Sequence, residues 1–394
     1  MGALDGIGGS YDAVVIGARA AGAATAAFLA RAGLRVLAVD RGAYGTDTLS
    51  THALMRAGVL QLARLGVLER IAAEGTPPVR RTVFHYEDGP LDVPIRAKDG
   101  VGALFAPRRT LLDRVLVDAA ASAGACVRHR VRLAELLRLA DGRVGGVRLV
   151  DEDGAARAVR AGIVIGADGL RSTVAALVAA PVTCRGRHAA ASVYGYWEGL
   201  DVDGYQWHWS RGSAAGAIPT NGGQVLVFAG VTARRFAEEV GGDVRAGYGR
   251  VLAEAAPGLL PALARARLVG TLHGFAGAAG LLRRPWGPGW ALVGDAGYFK
   301  DPVTAHGLSD ALRDAELLAR AVGRGSEAAL REYEERRDEL SLELFDVTDE
   351  IASLEWDNDR LKTLHQRLSD AMKREVRALL ALHEAQDAVE RKTA

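Results

Sequence analysis

The sequence predicts an α/β chain, α+β overall, in which a nucleotide-binding parallel sheet is interrupted by an antiparallel domain and followed by a helical C-terminal region. Three observations carry that expectation. A short apolar run, Asp12-Ala-Val-Val-Ile16, leads into Gly17-Ala-Arg-Ala-Ala-Gly22, an Ala/Leu-rich helical stretch and a second apolar run ending at Asp40. Continuously apolar strands suit a parallel sheet covered on both faces, and strand, glycine turn, helix, strand is a βαβ unit. Residues 194–230 are aromatic and β-branched, with glycine turns at Gly212 and Gly222-Gly223, as in an antiparallel sheet.

The remaining elements follow in order. Residues 1–10 are Gly-rich and expected to be a flexible N-terminus. Helical spacing predicts one helix over 54–71 and another over 110–123, with Leu112, Val115, Leu116 and Ala119 on one face. Residues 127–139, 144–150 and 158–159 alternate like strands, with turns at Asp141-Gly142 and Asp153-Gly154, and 163–168 and 290–293 read as buried strands. Helices are expected over 308–322, 327–354 and 358–391. The domain organisation implied is a discontinuous Rossmann-type domain (11–80, 101–180, 283–325), an antiparallel substrate domain (81–100, 181–282) and a helical region (326–394).

Composition excludes several classes. A net charge of +1 over 394 residues favours neither nucleic acid nor an anionic membrane as partner. The two cysteines, Cys126 and Cys184, make no disulfide framework or metal-ligand spacing, so no metal is expected and a reducing cytoplasm is the expected compartment. No secretory signal is visible, and no run approaches the roughly 18–20 apolar residues of a membrane span. Scarce lysine beside abundant Arg, Ala and Gly suggests a GC-rich bacterial genome.

Three motifs carry chemistry. In the 17–22 turn one glycine allows a tight bend and another allows helix to close on strand, so the helix N-terminus can face a pyrophosphate. Arg19 stands where the strict fingerprint has its middle glycine, so its side chain must point away from the phosphates or lie along them. Asp40, about 20 residues on, can accept from a ribose hydroxyl. The second motif, Gly166-Ala-Asp-Gly-Leu-Arg-Ser172, is a strand, a sharp turn and an N-cap serine. The third is Leu292-Val-Gly-Asp-Ala296 followed by Asp301-Pro-Val-Thr-Ala-His-Gly307, a strand-end aspartate and a loop feeding a helix N-terminus.

In this order the three motifs resemble the FAD-dependent oxidoreductases of the p-hydroxybenzoate hydroxylase-like superfamily, over about residues 11–322. That group includes class A flavin monooxygenases, with halogenases and geranylgeranyl reductases as relatives. The resemblance implies FAD as cofactor. It assigns Gly17, Ala18, Ala21 and Gly22 to the pyrophosphate turn, and Asp40 and Arg41 to the adenosine ribose. Arg109, with Arg108 as rival, matches a helix-start arginine that contacts FAD. Asp168 and Gly169 match a motif associated with FAD and the passing nicotinamide, and Asp295 the ribityl–pyrophosphate aspartate. Pro302, Gly307 and Leu308 match the loop beside the isoalloxazine. Thr304 and Ser309 depart from the family's usual Gly and Asn.

The reaction so implied is monooxygenation. A flavin C4a-hydroperoxide, with NADPH or NADH as reductant and O₂ as co-substrate, would hydroxylate or epoxidise a small aromatic or polycyclic substrate, in bacterial secondary metabolism. The alternative is a reductase or dehydrogenase of the geranylgeranyl-reductase type. Halogenation is disfavoured, because no lysine precedes Lys98 and Trp207-His-Trp209 lacks a nearby Ile-Pro. A non-catalytic flavin-binding protein is a further reading. His306, in the flavin loop, and His52, in Leu49-Ser-Thr-His52, are the candidate catalytic side chains. His208 and His273 read as strand residues. Tyr194, Tyr196, Trp197, Tyr205, Trp207 and Trp209 are candidates for an aromatic pocket.

Overall fold

The computed structural model describes residues 3–393, with side chains through residue 384. The elements run β1 (Ser10–Ile16), α1 (Ala20–Arg31), β2 (Val36–Asp40), α2 (Arg56–Arg64), α3 (Leu68–Ala73), β3 (Arg81–Tyr86), β4 (Gly89–Pro94), α4 (Arg109–Ser122), β5 (Cys126–His129), β6 (Val131–Arg138), β7 (Val144–Asp151) and β8 (Ala156–Gly166). They continue with α5 (Thr173–Leu177), β9 (Val182–Arg185), β10 (Ala190–Glu198), β11 (Tyr205–Ser210), β12 (Ser213–Pro219), β13 (Val225–Thr232), α6 (Ala233–Arg235), α7 (Val244–Ala255), α8 (Leu260–Leu263), β14 (Arg267–Phe275), β15 (Leu281–Arg283), β16 (Trp286–Gly287), β17 (Trp290–Leu292) and β18 (Tyr298–Phe299). Three long helices follow: α9 (Gly307–Arg324), α10 (Glu327–Ile351) and α11 (Asn358–Thr393).

The apolar runs make a parallel sheet in the order β17-β8-β1-β2-β5, with β16 antiparallel at its edge. Helices α1, α4 and α9 pack together over one face, and Ala-rich α1 lets them approach closely. The hairpin β6–β7 continues the sheet through β8, whose first half pairs antiparallel with β7 and whose second half pairs parallel with β1. One strand thus replaces the two expected over 158–168.

The second sheet has the order β14-β10-β13-β12-β11-β3-β4, antiparallel except where β11 meets β3. Its faces are read from β11: Tyr205, Trp207 and Trp209 are buried, while Gln206, His208 and Ser210 are half-buried. Helix α7 covers part of the opposite face, with Tyr248, Val251 and Leu252 against Val193, Ala215, Ala217 and Val227. A small sheet, β18-β15-β9, completes the strand pairing among the described residues.

Three further expectations are corrected. The helix expected over 54–71 is two, α2 and α3, broken at Gly66 with φ +67°, a left-handed conformation that ends helices. The strand expected over 127–139 is split at Arg130, φ +59°, so β5 joins the parallel sheet and β6 the hairpin. The expected flexible N-terminus is packed over its described part, because Leu4 and Ile7 are buried with Val14, Leu37 and Val131. Met1 and Gly2, and Ala394 at the other end, lie outside the described residues.

Candidate active site

The turn between β1 and α1 has no room for side chains at its two glycines. A Cβ on Gly17, φ +99°, would lie 2.4 Å from the Ala167 carbonyl oxygen, and one on Gly22 would lie 1.8 Å from the carbonyl oxygen of Gly17. Ala18 and Ala21 sit in the same turn, and Ala18 donates its N–H to Asp40 Oδ2 at 2.8 Å. Asp40 Oδ1 accepts from the Gly42 N–H at 2.7 Å, which fixes the carboxylate at the carboxyl end of β2. Arg41 beside it is exposed. Arg19 leaves the turn: its guanidinium reaches the Thr46 and Asp47 carbonyls and Asp113, at 3.2–3.3 Å. The missing glycine therefore becomes a tie between turn, loop and α4.

The rival arginines part company. Arg109 opens α4, is buried, and donates to Asp113 through Nε and Nη2 at 3.0 and 3.1 Å. Arg108 lies 3.5 Å over the Tyr196 ring and bonds Gln224 and Asp47. Asp168 directs its oxygens to α5, accepting from the Ser172 hydroxyl at 2.5 Å and the Thr173 N–H at 2.6 Å, while Gly169 turns the chain at φ +80°.

Asp295 follows β17 and makes no side-chain hydrogen bond to another described residue. Burial pushes its carboxyl up to about 6, against the pull of the Arg109 and Lys300 charges. The loop after it holds Pro302 in a short helical turn, Ala305 at φ +50°, and Gly307 and Leu308 at the N-terminus of α9. The two departures from the family pattern are both used. Thr304 meets the Thr348 hydroxyl of α10 at 3.0 Å, and Ser309 Oγ accepts the Met55 N–H at 3.2 Å.

The candidate histidines are both buried. His52 has φ +65°, contacts the Tyr196 hydroxyl through Nε2, and leaves Nδ1 without a partner among the described residues. Burial holds it well below its ordinary range, reinforced by the Arg109 and Arg108 charges, so it is neutral. It thus combines backbone strain with an orphaned buried nitrogen, features that cluster at functional sites. His306 is wholly buried and stands in a charged cluster. Nδ1 is 3.2 Å from Asp310 Oδ1, and Nε2 is 3.0 Å from Glu375 Oε2, an ion-pair contact without the angle of an aligned hydrogen bond. Lys300 pairs with Asp310, and Arg313 bonds Asp310, Asp314, Glu375 and Ser341 at 2.8–3.0 Å.

A cavity of about 1050 Å³ opens beside this loop, between the second sheet and α11. Phe84, Tyr86, Trp207 and Trp209 form one wall, Thr304 and His306 its end, and His365, Met372 and Glu375 the α11 side. Tyr205, Trp207 and Trp209 therefore face it as expected. Tyr194 and Tyr196 gather instead around His52 and His273, and Trp197 packs on Tyr248. His208 stacks on His85 on the other sheet face.

The α11 contribution was missed in the sequence. A signal existed: Leu368, Ala371, Glu375 and Leu379 follow one helical stripe, and a glutamate on an apolar stripe is out of place. His306, Asp310 and Glu375 lie close enough to ligate a metal ion. Lys300 and Arg313 already neutralise those carboxylates, so an added dication would meet two or three positive charges.

The fold and this arrangement define a flavoenzyme of the dinucleotide-binding class. Two features fit FAD: a turn that tolerates no Cβ, and an uncommitted Asp295 carboxylate at the sheet's carboxyl edge, where such ligands bind. The chain belongs to the FAD binding domain family, which matches residues 10–219, and it is a FAD-dependent oxidoreductase. It is similar to a digeranylgeranylglycerophospholipid reductase of Methanothrix thermoacetophila, 28% identical over 94% of each chain. It is also similar to a menaquinone reductase of Mycolicibacterium smegmatis, 27% identical over 80% of this chain and 76% of the other. Among solved structures it resembles the flavin-dependent brominase Bmp2 (TM-score 0.78, 17% identity, 97% of this chain and 100% of that one). It likewise resembles PqsL of Pseudomonas aeruginosa, a probable FAD-dependent monooxygenase (TM-score 0.71, 19% identity, 92% and 100%). Among the described residues no helix is long and apolar enough to cross a membrane.

Proposed function

We propose that the protein reduces a carbon–carbon double bond in a long, apolar, unsaturated substrate, with NADPH or NADH as the electron source. The observation that carries this reading is a buried imidazole, His306, backed by carboxylates, at the end of a large aromatic-walled cavity. Adding hydrogen across a double bond needs a hydride and a proton, and His306 is the group suited to give the proton. The relatives that span most of the chain are named as reductases of a prenylated lipid and of menaquinone, which favours the same reaction.

In this reading Gly17, Ala18, Ala21 and Gly22 hold the FAD pyrophosphate, Asp40 and Arg41 the ribose, Arg109 and Asp295 the middle of the cofactor, and Pro302, Gly307 and Leu308 the flavin edge. Asp168 and Gly169 shape the adjoining turn. When bound and reduced there, FAD would supply the hydride. The cavity orients the substrate and excludes water, and His52, held neutral, stands three residues before Met55, whose N–H bonds Ser309 of α9.

Monooxygenation is the second reading. The wall of Phe84, Tyr86, Trp207 and Trp209 suits an electron-rich ring, and the site would then take O₂ as co-substrate. One experiment separates the two. Pre-reduced enzyme is mixed without oxygen with digeranylgeranylglycerophospholipid or menaquinone. Flavin reoxidation with two hydrogens added across a carbon–carbon double bond of the prenyl chain, and not to the quinone ring, supports reduction. Reoxidation that waits for O₂ and adds one oxygen atom to the product sinks it in favour of the second reading.

A further inference from the structure

The cluster around His306 has an imbalance of charge. In direct contact are three carboxylates, Asp310, Asp314 and Glu375, and two basic groups, Lys300 and Arg313, and each of the five is buried. A net charge in a dry interior is costly, and a proton on His306 removes it. Both ring nitrogens are placed for this. Nδ1 faces Asp310 from α9, and Nε2 faces Glu375 from α11. A neutral imidazole has one N–H to offer, and an imidazolium has two.

We infer that Glu375 is the positioning residue for His306: from the C-terminal helix it fixes the imidazole at the cavity wall and raises its hold on the proton that the reaction delivers. The inference rests on the reduction proposed above and adds a residue to it. In that step His306 Nε2 or Nδ1 loses a proton to one carbon as the other receives hydride. The neutral imidazole then regains a proton through the Lys300 amine, 3.4 Å from Nδ1.

The surroundings support this role. Burial pushes the His306 imidazole below its ordinary range, and the Glu375 charge is the largest influence opposing that push, with Lys300 and Arg313 working against it. Burial alone would raise the Glu375 carboxyl, yet the His306 and Arg313 charges hold it down to about 2, so it stays ionised. The other groups facing the cluster are Tyr298, whose ring lies 5.1 Å from the Lys300 amine, and Asp295, which acts on Lys300. From α10 come Arg337, paired with Asp338, and the Ser341 hydroxyl. Burial brings the Lys300 amine down to about 7, so the cluster has a second group that changes charge near neutrality. A stripe position on α11 filled by Leu would pack without any of this machinery, so packing gives no reason for the acid.

The test compares wild type, Glu375→Gln and Glu375→Asp as oxidised holoenzymes without substrate. The His306 imidazole is followed by ¹⁵N NMR against pH, its signals assigned by their loss in His306→Gln. The titration midpoint should fall by about 1–3 pH units in E375Q and recover partly in E375D. The pH profile of substrate-driven flavin reoxidation, read anaerobically with the lipid and quinone probes, should move the same way. An unmoved NMR midpoint overturns the inference. So does a moved midpoint with an unmoved pH profile, because Glu375 would then be structural only. If E375Q does not fold, E375D must itself shift the midpoint or the inference fails. If wild type shows no substrate-driven reoxidation, the reduction reading fails and the NMR titration alone decides on Glu375.

Discussion

The nucleotide edge and the cavity end handle buried charge in opposite ways. At the nucleotide edge, Asp40 takes the N–H groups of Ala18 and Gly42, and Asp168 takes the Thr173 N–H and Ser172 hydroxyl. These partners are backbone or short side chains, most of them close in sequence. At the cavity end, Asp310, Asp314 and Glu375 are met by Lys300, Arg313 and His306, side chain to side chain. Backbone N–H groups hold the Asp40 and Asp168 carboxylates in fixed orientations. A side-chain network is cohesive when complete and costly when broken, and it contains groups that change charge near neutral pH. The first suits holding a cofactor, the second suits moving a proton.

The largest break in that comparison is expected at Arg313. Its guanidinium is wholly buried and bonds three carboxylates. Arg313→Met should cost about 3–5 kcal/mol, because it strands buried charge. Thermal and urea unfolding measure this. A loss below about 1 kcal/mol would mean the network is solvated.

Next in size is the acid response of His365, on the cavity's α11 wall. Burial pushes this imidazole down to about 3, against an ordinary value of 6.5, with the Tyr86 hydroxyl 2.7 Å from Nδ1. The folded value lies below the unfolded one, so the unfolded chain binds the proton first as pH falls. The contribution is complete above about pH 6.5 and drains away toward pH 3, roughly 5 kcal/mol at most. The urea midpoint should fall through this window, and the fall should be shallower in His365→Phe.

The same contrast decides what could be read from the sequence. The nucleotide edge was legible because its chemistry lies in contiguous motifs. Steric demand fixes glycine at 17 and 22, and Asp40 and Asp295 stand at strand ends. Arg19 was legible as an anomaly, but its solution was not, since Thr46, Asp47 and Asp113 come from two other segments. The cavity was legible in its aromatic strand β11 and hidden in the rest. Phe84 and Tyr86 reach it because β3 pairs with β11, and His365 and Glu375 because α11 folds back over the sheet. Periodicity marks a helix's buried face without naming what it faces. A buried glutamate on that stripe was the available clue.

Smaller effects sharpen the catalytic side. His306→Gln keeps size and polarity but carries no proton near neutral pH. Turnover with the probes should fall at least about 10²-fold, about 2.7 kcal/mol in barrier, with flavin content unchanged. Equal turnover would remove His306 from the reaction. On the nucleotide side, Asp295→Ala should weaken FAD retention by about 1–3 kcal/mol, since a polar contact to the cofactor is lost. Equilibrium dialysis of FAD measures this, and unchanged affinity would reassign Asp295.

The smallest effect is expected at Arg19, and it tests the rigidity claimed for the nucleotide edge. The side chain is one-third exposed, and its ion pair with Asp113 at 3.3 Å is shared with Arg109. Partly exposed pairs contribute about 0–1 kcal/mol, and Asp113 keeps its Arg109 partner when Arg19 is cut back. Arg19→Ala should therefore change unfolding free energy by less than about 1 kcal/mol. The Thr46 and Asp47 carbonyls are a different matter, because the guanidinium ties their loop to the start of α1. Amide hydrogen exchange in residues 44–50 should rise in the variant while that of β1 and α1 stays as in wild type. Exchange rising through β1 as well would show that the Gly17–Gly22 turn depends on this arginine, and that the nucleotide edge is less self-sufficient than its backbone-satisfied carboxylates imply.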